Sequence, residues 1–197
     1  MRSTLLAGLL AFAVSKVTSQ DTYWSVQSKP FFLVLKSHNQ TINGSYLYPC
    51  HEGAAIEGLC LGEKRADDYG QFTHNTSAQT PLPTSGLLTW ELRGFNFNVS
   101  SAMRFQYNDA SNVAIPLFFP GNSDYNAVNF TEAGVMNILS YQDDTKPLPN
   151  YSGGPLCRWY ICTTYYGYLY QTLAWVMGEG KPQNPTCQKV EVIRQWV

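Results

Sequence analysis

A histidine, two carboxylates and two thiols crowd into one short stretch, Cys50-His51-Glu52-Gly53-Ala54-Ala55-Ile56-Glu57-Gly58-Leu59-Cys60. Such a set could hold a metal or exchange protons. A zinc-binding helix, however, needs a second His four residues on, and the whole chain has only His38, His51 and His74. His51 and Glu52 therefore read as polar groups tied to the backbone of a disulfide-closed turn, and no metal or cofactor is assigned. Glycoside hydrolysis needs two carboxylates at a fixed separation, which Glu52, Glu57, Glu91, Asp109 and Asp124 could supply only if the fold brings two together. A Gly-x-Ser-x-Gly elbow, a phosphate-cradling glycine loop and a dinucleotide fingerprint are all missing. A Ser-His-Asp triad needs no sequence proximity, so a hydrolase with dispersed groups stays open.

Aromatic residues say more. Trp90, Phe105, Tyr107, Phe118, Phe119, Trp159, Tyr160, Tyr165, Tyr166, Tyr168, Tyr170 and Trp175 all fall on strand-like segments. Sheets favour aromatics, and each ring buries much apolar area, so plain packing is one reading. The other is a largely apolar cavity with a few phenol and indole groups as polar points. Arg93, Arg104 and Arg158 lie in or beside the same segments. Alternation puts Arg93 opposite Trp90 and Leu92, and Arg104 opposite Met103 and Phe105, so both are expected outside.

The elements that must position these groups are strands. Phe31–Leu35 and Tyr46–Tyr48, separated by a turn with Asn43-Gly44, read as a hairpin. Leu88–Arg93, Met103–Tyr107 and Ile115–Phe119 follow, then Tyr168–Met177 and Cys187–Trp196. Turn-rich stretches at 80–86 and 146–155 separate them without dividing the chain. About ten short strands predict an all-β, single-domain antiparallel sandwich or barrel with irregular loops, over residues 20–197.

Residues 1–19 read as a signal peptide: Arg2, then the apolar run Leu5–Val14, then Val17-Thr18-Ser19 before Gln20. No later stretch is apolar long enough to anchor the chain, so the secretory pathway or secretion is expected. Six sequons fit that route, at Asn39, Asn43, Asn75, Asn98, Asn129 and Asn150. An oxidising compartment should pair four of the five cysteines. Cys50 with Cys60 closes a short loop, and Cys162 with Cys187 joins two strand ends, with Cys157 to Cys187 as the competing choice. The thiol left over is expected as a buried apolar filler.

The 197 residues are 44% hydrophobic and only 14% charged, with a net charge of -1. Without clustered Lys and Arg there is no footprint for a nucleic-acid partner.

The stretches Phe32–Leu35, Asn43–Ser45, Cys50–Cys60, Asn112–Phe118 and Leu173–Val176, with the ending Asn184–Cys187, resemble a family of small secreted ascomycete proteins. Within that group the chain is similar to the fungal hetero-Diels-Alderases of tropolone sesquiterpenoid biosynthesis, which share its size, sequons and aromatic richness. The resemblance implies a cofactor-free pericyclase joining a tropolone ortho-quinone methide to a humulene-type sesquiterpene, with two small hydrophobic substrates as its partners. A concerted cycloaddition needs orientation and dryness rather than a nucleophile. On that reading Trp90, Phe105, Phe118 and Trp159 wall the terpene, Tyr107, Tyr165 and Tyr166 donate to the tropolone, and Arg93 polarises its carbonyl. The rival is a non-catalytic secreted module binding carbohydrate or a host surface, whose rings would face solvent.

Overall fold

The computed structural model describes residues 22–79, 85–151 and 153–197. The expected signal peptide at 1–19 and part of the turn-rich stretch at 80–86 lie outside them. The described chain is all β apart from two single-turn 3-10 helices, Thr22–Trp24 and Asp68–Gly70. In order the strands are β1 (Val26–Gln27), β2 (Phe31–Lys36), β3 (Tyr46–Gly53), β4 (Ile56–Leu61), β5 (Phe72–Thr76), β6 (Ser85–Arg93), β7 (Asn98–Gln106) and β8 (Val113–Pro120). The second half adds β9 (Val128–Phe130), β10 (Met136–Leu139), β11 (Pro155–Leu156), β12 (Trp159–Tyr165), β13 (Leu169–Val176), β14 (Gln188–Lys189) and β15 (Glu191–Trp196).

Of the two architectures expected, a barrel is the one formed. Its wall runs β2-β3-β4-β13-β8-β7-β6-β5 and closes where Phe31 of β2 pairs with Phe72 of β5. All these pairings are antiparallel. Near one rim β4 pairs directly with β8, Glu57 opposite Phe118; farther along, β13 enters between them, Thr172 opposite Cys60 and Trp175 opposite Ala114.

Period-two alternation decides what lies inside. On β7, Met103 and Phe105 are buried, while Arg104 points out, lies 3.6 Å from the centre of the Phe119 ring and pairs with Asp124 at 2.7 Å. Phe31, Leu33, Leu47, Leu59, Phe72, Leu88, Trp90, Met103 and Phe118 are all at most 3% exposed and form one cluster. Burial of each such side chain stabilises the fold by about 1.5–3 kcal/mol. A close contact locks the β12–β13 turn onto this wall: a Cβ at Gly167 would come within 1.9 Å of Glu52 O, so only glycine fits.

The disulfides are Cys50–Cys60 and Cys162–Cys187. Two expectations are corrected. Cys157 is exposed rather than buried, because it lies in the short link between β11 and β12 and not on a packed strand face. The segment Cys187–Trp196 is not one strand: β14 pairs with β12, and the chain then crosses so that β15 pairs along the full length of β2, from Glu191 opposite Lys36 to Trp196 opposite Phe31.

Candidate functional site

β3 sends Leu47 inward and Tyr46 and Tyr48 outward. Its partner β4 ends at Leu61, and residues 62–70 double back over that outer face. Two backbone bonds hold the reversal, Gly62 N to Tyr46 O at 2.8 Å and Tyr46 N to Glu63 O at 2.9 Å. Gly62 has to be small, since a Cβ there would lie 2.7 Å from the Tyr48 ring. Asp67 then caps the 3-10 turn by accepting from Tyr69 N at 2.9 Å, and Asp68 accepts from the Gln71 amide at 3.1 Å.

Between this loop and the barrel wall lies a groove of about 940 Å³. Phe32, Tyr46, Tyr48, Leu61 and Tyr69 give it rings and apolar surface, while Glu63, Arg65, Asp67 and Asp68 give it charge. Tyr48 and Tyr69 are 37% and 41% exposed, which leaves both residues open to a ligand. Partial burial pushes the Tyr69 hydroxyl above its ordinary pKa; nearby Glu57 adds to this and Arg93 opposes it. Tyr69 is fixed from beneath, because the Trp90 indole donates to Tyr69 O at 2.9 Å and its ring meets the Tyr69 ring edge-on at 5.1 Å.

The residues expected to wall a terpene are structural in their contacts. Phe118 stacks on Phe72 at 5.6 Å, and Phe105 stacks on Trp175 at 6.0 Å. Trp159 is fully buried, donates to Met136 O at 2.9 Å and packs 4.8 Å from Trp175. Trp90 is buried too, and one edge of it borders a smaller hollow of about 190 Å³ that Arg93 and Glu91 also line. Arg93 points outward and lies 3.5 Å from Glu91. Tyr107, Tyr165 and Tyr166 are exposed. Tyr107 lies beside Phe105 just past β7, whereas Tyr165 ends β12 at its far tip, about 20 Å away at strand spacing. The fold thus brings Trp90 and Arg93 to one hollow but does not gather these eight side chains into a single cavity.

Glu52 and Glu57 are both buried at the rim. One Glu52 oxygen accepts from Gly167 N and Tyr168 N, each at 3.0 Å, which ties the β12–β13 turn to β3. Burial raises the Glu57 pKa against the opposing contact with His51, whose Nδ1 lies 3.5 Å away. Glu91 and Asp124 are paired with Arg93 and Arg104. Among the described residues no group of three or more His, Cys, Asp or Glu is placed to hold a metal ion.

Tyr46 and Tyr48 lie on the hairpin strand already read, but Arg65, Asp67, Asp68 and Tyr69 lie in the connection between β4 and β5, outside the strand aromatics. A legible signal exists all the same: Glu63-Lys64-Arg65-Ala66-Asp67-Asp68-Tyr69 packs five charges together in a chain that is only 14% charged.

Residues 28–196 match a family model described as a domain of unknown function, DUF7907, and the chain belongs to that family. No curated protein and no solved structure matches it.

Proposed function

We propose that the protein is a non-catalytic secreted binding module that takes a carbohydrate in the groove between residues 62–70 and β3. One observation carries this reading: two half-exposed tyrosine rings, Tyr48 and Tyr69, line the same open groove as the charged side chains of Glu63, Arg65, Asp67 and Asp68. A sugar offers both faces of that chemistry. Its axial C–H groups pack on an aromatic ring, and its hydroxyls both donate to carboxylates and accept from a guanidinium. Both tyrosines are packed in place, Tyr48 against Gly62 and Tyr69 against Trp90, which lowers the ordering cost of binding. Calorimetric titration with soluble chitin, cellulose, β-1,3-glucan and mannan oligosaccharides tests it. Saturable heat with at least one of them is expected, weakened in Tyr48→Ala and Tyr69→Ala; no heat with any of them overturns the reading.

A second reading follows from the resemblance to hetero-Diels-Alderases, and the size of the groove favours it. About 940 Å³ falls in the range of pockets that enclose small ligands. The pericyclase would hold the tropolone against the tyrosine hydroxyls here, since packed side chains fill the barrel interior. Incubation with a hydroxymethyl tropolone and a humulene alcohol separates the two readings. An adduct yield and diastereomer ratio unchanged from a protein-free control leaves only the binding module.

A further inference from the structure

The turn between β6 and β7 presents two phenylalanines to solvent. Phe95 is fully exposed and Phe97 is 53% exposed. The turn is nonetheless ordered: Gly94 N donates to Phe97 O at 2.8 Å, and the Phe97 ring lies so close over Gly94 that a Cβ there would be 2.5 Å from it. Arg93 and Asn98 form the first cross-strand pair after the turn. Asn98 and Ser100 are both exposed and, by alternation with buried Ser101 and Met103, point away from the interior. They are the ends of the sequon Asn98-Val99-Ser100. Other sequon amides are engaged: Asn39 Nδ2 donates to Gln188 at 2.6 Å and Asn129 Nδ2 to Asn137 at 3.2 Å.

We infer that Asn98 carries an N-linked glycan whose first N-acetylglucosamine packs on the exposed ring of Phe95, so that the sugar completes the apolar surface of the hairpin. Phe95 sits at the tip of the tight turn, three residues before Asn98, which opens the returning strand, so the exposed ring and the acceptor side chain belong to the same end of one hairpin. The pyranose covers with C–H groups an aromatic face that otherwise meets water. In the joining step the Asn98 Nδ2–C1 bond forms as the C1–oxygen bond of a lipid-pyrophosphate-linked oligosaccharide breaks. The pyrophosphate leaves with the bonding pair and the amide proton is released, with no oxidation or reduction. The inference needs export through the secretory route and is independent of any ligand in the groove.

The test uses the full chain secreted from a glycosylating eukaryotic host. Peptide mass spectrometry should find glycan at Asn98, and trimming to a single N-acetylglucosamine should leave the unfolding temperature unchanged. Asn98→Gln and Phe95→Ala should each lower that temperature by about 2–4 °C, and the double variant should fall no further than either alone, because both remove one contact. Ser100→Ala, which keeps Asn98 but removes the sequon, should match Asn98→Gln. A bare Asn98 beside other occupied sequons overturns the inference, as does additive loss in the double variant. Sequons bare throughout the secreted chain overturn it as well.

Discussion

The barrel interior and the groove under residues 62–70 share β2, β3 and β4, yet they hold different chemistry. Inside, Trp159, Phe118 and Trp90 either have no polar group or have it matched to one backbone carbonyl, as in Trp159 to Met136 and Trp90 to Tyr69. In the groove, tyrosine rings stand beside charges that remain in contact with water. The contrast teaches that aromatic richness by itself marks stability in this protein. Capacity to recognise a ligand appears where rings and charges meet outside the wall.

The contrast breaks most plainly at Trp159. Replacing it with Ala should cost about 3–5 kcal/mol, read as a lower denaturant midpoint. A cost under about 1 kcal/mol would mean the interior is loosely filled. His74 probes the same interior by pH. It is buried on β5, contacts Val128 O at 3.1 Å, and burial lowers its pKa from 6.5 to about 4. Between those values the unfolded chain binds a proton that the folded chain does not. Stability should therefore fall as pH drops from 6.5 towards 4, by up to about 3 kcal/mol, and His74→Gln should flatten that slope. Raised Glu57 acts oppositely, losing stability as pH climbs past its unfolded value. Cys50→Ala with Cys60→Ala should cost roughly 2.5 kcal/mol in thermal or denaturant unfolding, because the loop it closes is short. The smallest stability effect belongs to the groove: Tyr48→Ala should change folding by under about 0.5 kcal/mol while weakening oligosaccharide binding about tenfold in calorimetry. Loss of both together would erase the distinction between interior and groove.

Much of the fold was legible. The hairpin of β2 and β3 with Gly44 at a φ of +78°, and the outward placement of Arg93 and Arg104, follow from turn chemistry and period two. Both disulfides were readable as well, although Cys162–Cys187 had a rival in Cys157–Cys187. The pairing of β15 with β2 was not legible, because nothing local says which distant strand an edge will meet. β5 alternates in burial but carries only one apolar residue, Phe72, so its sequence shows no hydrophobic period, and β9 is only three residues long. For the candidate site, strand aromatics drew attention to rings that pack the interior. Tyr46 and Tyr48 face outward by period two, but Tyr69 reaches them on a loop folding back over that sheet face, and residue spacing does not encode that reversal.

The way β13 joins the wall has one more consequence. With β4 bonded straight to β8 near Glu57 and parted from it by β13 near Thr172, the wall counts seven staves toward one lip and eight beyond it, so by strand count the first is the narrow lip and the second the broad one. The broad lip gapes if the eighth stave leaves. That stave is held by its hairpin partner β12, which Cys162 ties to the start of the C-terminal segment at Cys187, so reduction of this one bridge should loosen the wide mouth first and leave the narrow one shut.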